Sequence, residues 1–213
     1  MSLLIIILLT LSQFLLGYAL LSLFNIVIKP WLSIAASVLL GIAVYSLVPF
    51  VMELLHIRLT SLNIFSALAL LTVILLAIRI KRMINGLVFL GKNISFRLKL
   101  YEIPFVAVIA FMIFVSAWRC FYYPPTARDF TSGAEVIAEY AVKEKTMVNS
   151  VFSVNLESTN NQFKPPYLTC LQVIYKYAGF PFGQVWLSSI FLFFIIFLYH
   201  PKNKSTKPGM ALG

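Results

Sequence analysis

Residues 79–100 read "RIKRMINGLVFLGKNISFRLKL", with six cations (Arg79, Lys81, Arg82, Lys92, Arg97 and Lys99) and not one carboxylate. Long apolar runs flank the stretch on both sides. If those runs cross a bilayer, the stretch is the loop between two of them, and it stays on the cytoplasmic side because Lys- and Arg-rich loops are retained there. Its middle, "MINGLVFLGKNISF", is apolar between cationic ends and is expected to lie on the inner leaflet as an interfacial segment.

Working outward, a transmembrane helix needs about 20 apolar residues, and five segments reach or approach that length: 2–24, 31–54, 62–80, 103–121 and 184–200. The composition agrees. With 61% hydrophobic and 11% charged residues and a mean hydropathy of +0.92, the chain has too little polar surface to clothe a water-soluble globule. A net charge of +10 would point to nucleic acid in a soluble protein, but here it is loop charge that orients spans. The expected partner is the lipid bilayer, not nucleic acid. The first run, "SLLIIILLTLSQFLLGYALLSLF", lacks a basic leader and exceeds the core of a signal peptide in length, so it is expected to be a retained span.

The expected fold is therefore all-α: a polytopic transmembrane helical protein of about five spans with a small, mostly helical extracytoplasmic loop. Residues 1–121 form a four-span membrane region, 122–183 the extracytoplasmic loop, and 184–213 the fifth span with a basic tail. Alternation places the N-terminus outside, Lys29 inside, the Glu53 to Arg58 turn outside, the 122–183 loop outside, and the tail with Lys202, Lys204 and Lys207 inside. That tail obeys the same charge rule as the 79–100 stretch. A bacterial cytoplasmic membrane suits this pattern. Trp31, Trp118 and Trp186 fall near span ends, where indoles favour the headgroup level. Pro104 sits in the first turn of the fourth span, where its missing N–H costs nothing, and Pro49 is expected to kink or end the second. Cys120 and Cys170 are read as unpaired thiols near the membrane.

The 122–183 loop holds Asp129, Glu135, Glu139, Glu144 and Glu157, five of the seven carboxylates in the chain. Ser132-Gly133-Ala134-Glu135 carries a helix-start signature in which the serine caps an amide and the glutamate reaches back. Glu139 and Lys143 follow at one-turn spacing in the favourable order. A second helix is announced by "NNQFKPPYLTCLQVIYKYAGF": Pro165 and Pro166 suit its entrance, Leu168, Leu171, Ile174 and Tyr175 form an apolar stripe, and Gly179 is its stop. Residues 146–162 read as an extended connection. Two helices in a loop of this length make a small lid.

Asp129 follows Arg128 and lies close to where the fourth span ends. The ordinary reading is a local ion pair or a helix cap. The functional reading is a general base toward a hydroxyl acceptor, or a ligand for a divalent cation on a phosphate leaving group. Glu135 and Glu139 share a helix side and are candidates for a second acid site, although capping and the lysine pair also explain them. Lys164 beside the double proline is a candidate phosphate contact, against the default of a solvated lysine. His56 and His200 have no ligand-spaced partners, and no metal or cofactor is assigned beyond that candidate divalent ion.

The order of a span, a loop opening with "PPTARDF", a surface helix, and "NNQFKPPYLTCLQVIYKYAG" leading into the next span resembles the first outer loop of the GT-C superfamily of polytopic glycosyltransferases. That group includes protein O-mannosyltransferases and lipid A aminoarabinose transferases. The resemblance covers about residues 103–200. It implies Asp129 as the catalytic acidic residue, residues 135–145 as the surface helix, and Lys164-Pro165-Pro166 as the counterpart of an N-x-P-P-L-like element. It also implies a polyprenyl-phosphate sugar as the lipid-linked donor. Three spans here precede the equivalent of the family's first span, and the chain stops after five, so the expectation is a glycosyltransferase or its N-terminal portion. Two other classes compete. A non-catalytic membrane subunit would bind a partner through the outer loop. A transporter would carry ionisable residues in mid-span, which the five runs almost entirely lack.

Overall fold

The computed structural model describes residues 2–24, 30–93, 100–123, 133–148, 150–151, 166–182 and 184–198, and these form helices joined by turns. Seven α-helices carry the architecture: α1 (Ser2–Leu23), α2 (Pro30–Leu54), α3 (Ser61–Asn93), α4 (Ile103–Tyr122), α5 (Glu135–Glu144), α6 (Tyr167–Tyr177) and α7 (Val185–Leu198). A single 3₁₀ turn, Leu100–Glu102, leads into α4. Among the described residues, four segments are long and apolar enough to cross a membrane: Leu4–Leu23, Pro30–Leu54, Ser61–Ile78 and Leu100–Tyr122. The described part of the fifth apolar run is α7, whose 14 residues fall short of a span.

α2 is the hub, packing on α1, α3, α6 and α7. Its contact with α1 is a backbone-to-backbone approach. A Cβ on Gly17 would stand 1.8 Å from the Ser37 carbonyl oxygen, and one on Gly41 would stand 1.9 Å from the Gln13 carbonyl oxygen. Only glycine permits this spacing, the small-residue packing by which apolar helices associate where there is no water to drive them together. α2 starts at Pro30, where the ring suits the first helical position, and it does not end at Pro49 but runs on to Leu54.

The 79–100 stretch differs from its expected form. It is not a loop up to residue 93: α3 passes straight through the cations and continues to Asn93, 33 residues in all. At about 1.5 Å per residue that is roughly 50 Å, well beyond an apolar core of about 30 Å. Arg, Lys, Met and Leu are all good helix formers, and a run of positive charge does not break a helix. Residues 94–99 lie outside the described residues. The extension keeps its footing on the bundle, since Met83 and Leu90 are buried and a Cβ on Gly86 would meet the Tyr18 hydroxyl at 2.0 Å.

The helix starting at Glu135 forms. Ala134 precedes it with no side-chain cap, Ser132 lies outside the described residues, and the Glu135 carboxylate turns away to α6. α6 follows the sequence reading more closely. Pro166 stands at its entrance, and Gly179 at φ +95° lets the Phe180 N–H close on the Tyr175 carbonyl at 3.0 Å. Leu168 departs from its assigned place in the apolar stripe and is 46% exposed. Trp186 is no headgroup anchor either, since it is buried within the bundle.

Candidate functional site

α6 was expected as the second helix of a small lid leading into the next span, and its residues 169–175 are buried in an unbroken run. Burial of consecutive residues means that every side of the helix is covered, with α2, α3, α5 and α7 supplying the cover. The depth is fixed by Tyr175. Its hydroxyl accepts a hydrogen bond from Nε2 of Gln13 at 3.1 Å, and Gln13 lies near the middle of α1. The lid helix therefore enters the bundle instead of resting on top of it.

Entering an apolar bundle obliges the polar side chains of α6 to find partners, because an unpaired buried polar group is costly. Most do so. Lys176 Nζ lies 2.5 Å from Glu135 Oε1, with only 11% and 12% of the two side chains exposed. The other carboxylate oxygen of Glu135 accepts from Gln172 Nε2. Gln172 Oε1 accepts from the Trp186 indole N–H at 2.9 Å, and Lys176 also donates to the Pro181 carbonyl at 2.7 Å. Glu135, Gln172, Lys176 and Trp186 thus form one network joining α5, α6 and α7. Burial pushes the Glu135 carboxyl above its usual range, and the Lys176 ammonium draws it only part of the way back.

Beside this network, Gln13 has a buried Oε1 with no hydrogen-bond partner. Ser12 and Tyr45 share a hydrogen bond at 2.5 Å between α1 and α2. Cys120 and Cys170 are both free and both buried. Burial raises the Cys170 thiol to about 12, so it is neither a ready nucleophile nor a ready ligand near neutral pH.

A second set of contacts ties the α5–α6 region to the end of α2. The Glu53 carboxylate, in the last turn of α2, accepts from the Thr146 hydroxyl at 2.6 Å and the Met147 N–H at 2.9 Å. The Leu59 N–H donates to the Lys145 carbonyl at 2.8 Å, and the Tyr177 hydroxyl donates to the Leu59 carbonyl. The turn after α2 and the α5–α6 region therefore share one end of the bundle.

Of the residues singled out in the sequence, Asp129, Arg128 and Lys164 lie outside the described residues. Glu135 is in the network. Glu139 is not: its carboxylate pairs with Lys143 at 2.8 Å on the exposed side of α5, as the one-turn spacing predicts. The two acids take different partners, one buried between helices and one exposed. Gln13, Gln172, Lys176 and Trp186 were missed. The available signal was polarity in the wrong place, a lone glutamine in the middle of an apolar span. Among the described residues, no three His, Cys, Asp or Glu side chains come together as a metal cluster. No family model matches the chain, and no curated protein or solved structure matches it.

Proposed function

We propose that the chain is a glycosyltransferase-like integral membrane protein. It crosses the membrane five times, with its N-terminus outside, and transfers a sugar from a polyprenyl-phosphate donor at the outer face. The observation that carries this reading is the burial of α6, whose Gln172 and Lys176 meet the Glu135 carboxylate of α5 and whose Tyr175 meets the Gln13 amide of α1 within a largely apolar bundle. A lipid-phosphate sugar needs that combination: apolar helices for the tail and a sheltered polar wall for the head. In the proposed reaction, the bond between the anomeric carbon and the phosphate oxygen breaks and the lipid phosphate leaves with the electron pair. An acceptor hydroxyl oxygen bonds to the same carbon and gives its proton to Asp129. Arg128 and Lys164 meet the charge on the departing phosphate, and the Glu135–Lys176 pair holds the polar wall together.

A specific observation favours a second reading, a non-catalytic subunit. α4 buries only Cys120 and packs chiefly on α7, so most of a 20-residue apolar helix is open to lipid or to another membrane protein.

Membranes carrying the wild type or Asp129→Asn, supplied with labelled polyprenyl-phosphate sugars, separate the two. The transferase reading expects donor consumption by the wild type and a loss of about 100-fold or more in the variant at equal protein level. Full activity in Asp129→Asn removes Asp129 from the chemistry. A wild type that consumes none of the donors supports the subunit.

A further inference from the structure

The cationic part of α3 carries no transfer chemistry in the reading above, and its geometry is unusual. Gly86 packs on the hydroxyl of Tyr18, and Tyr18 lies five positions before the end of the span Leu4–Leu23. At about 1.5 Å per residue the contact is roughly 7–8 Å inside the end of that span. The extension Met83–Lys92 therefore runs beside the last turns of α1.

Its outward side is mixed in composition. Lys81 and Lys92 are eleven residues apart, about three turns and roughly 16 Å, so they project from the same side of the helix. Both are exposed, and that side is opposite the buried Met83 and Leu90. Between and around them Ile80, Ile84, Val88 and Phe89 are each about half exposed. A water-facing surface would not show four large apolar side chains, and a lipid-tail surface would not show two lysines. Together they fit the boundary between the two. Among the described residues neither lysine has an ion-pair partner, and residues 79–100 contain no acid to supply one.

We infer that this side of α3 is a binding surface for anionic phospholipids, with Lys81 and Lys92 attracting their phosphates and Ile84, Val88 and Phe89 packing against acyl chains. It lies at the end of α3 opposite the lid and does not depend on any reaction there.

The test is native mass spectrometry of the full chain in detergent, titrated with phosphatidylglycerol or phosphatidylcholine. Each lysine near an anionic headgroup contributes about fivefold. The wild type should retain phosphatidylglycerol at least that much more strongly than phosphatidylcholine. Lys81→Gln with Lys92→Gln should bring the two lipids close to parity, and Lys81→Arg with Lys92→Arg should restore the preference. Lys143→Gln, on the lid, should leave it unchanged. Inorganic phosphate at the same concentration should displace nothing. Equal retention of both lipids by the wild type, an undiminished preference in the double glutamine variant, or full displacement by inorganic phosphate would each overturn the assignment.

Discussion

α4 and α6 invert the usual relation between hydropathy and burial. α4 is one of the four span-length apolar helices, and Cys120 is its single buried residue. α6 is half as long and far more polar, with Thr169, Gln172 and Lys176 among its residues, yet seven consecutive positions are buried. In a water-soluble protein the assignment would be reversed. In a bilayer the apolar helix can face lipid at no cost, while the polar groups must find one another inside the protein. Burial within this chain therefore follows hydrogen-bonding need more than greasiness.

The comparison can be broken at the contact that makes the interior. Gly17→Val puts side-chain atoms where the Ser37 carbonyl oxygen stands, whereas a Cβ on Gly91 meets nothing within 4 Å. We expect Gly17→Val to lower stability by about 3 kcal/mol, or to abolish folding outright, with Gly91→Val close to wild type. Thermal unfolding in detergent micelles reads the difference. Equal midpoints would show that α1 and α2 do not approach as described.

A smaller effect sharpens the role of polarity. Tyr175→Phe removes the one hydrogen bond of the Gln13 side chain and leaves a whole amide unpartnered in the bundle. The expected cost is about 1–2 kcal/mol. Adding Gln13→Leu should recover most of it, because an apolar pair leaves no polar group unsatisfied. Additive losses in the double variant would contradict the pairing.

The smallest effect lies within α5. Glu135 is held above the ordinary carboxylate value by burial, whereas Glu139, one turn on, is held below it by its hydrogen bond to Lys143. The signs of the linked stabilities are opposite. The Glu135 contribution is present below the ordinary value and lost as pH rises through its raised folded value. That of Glu139 is present above the ordinary value and lost as pH falls through its lowered folded value. Carbon-detected NMR of labelled glutamate should resolve two midpoints on either side of 4.5, the ordinary value. Lys143→Gln should move only the lower one, toward the ordinary value, with no measurable change in unfolding midpoint. Coincident titration would place both acids in one environment.

What the sequence revealed and what it hid divide along chain distance. The apolar runs of α1 and α2, the Glu139–Lys143 pair and the Gly179 stop all rest on neighbours within a few residues, where periodicity and turn chemistry are decisive. Glu135 was given a cap because Ser132 is close in sequence, but its partners Gln172 and Lys176 come from a helix about forty residues further on. The Gln13–Tyr175 bond spans 162 positions. The cations after Ile78 misled in another way. Charge marked the end of the apolar core correctly, but a helix has no reason to stop where its membrane does.

Glu53 adds a matter of timing. Its carboxylate is satisfied by Thr146 and Met147, 93 and 94 positions later in the chain. A ribosome adding about 5–20 residues per second makes those donors roughly 5–20 s after Glu53 itself. Through that interval the α2–α3 hairpin can be threaded into the bilayer with its acid still wet, and the lid can dock only once α5 has emerged. Glu53 is thus a latch left open during biogenesis and shut only once the turn after α5 has been made.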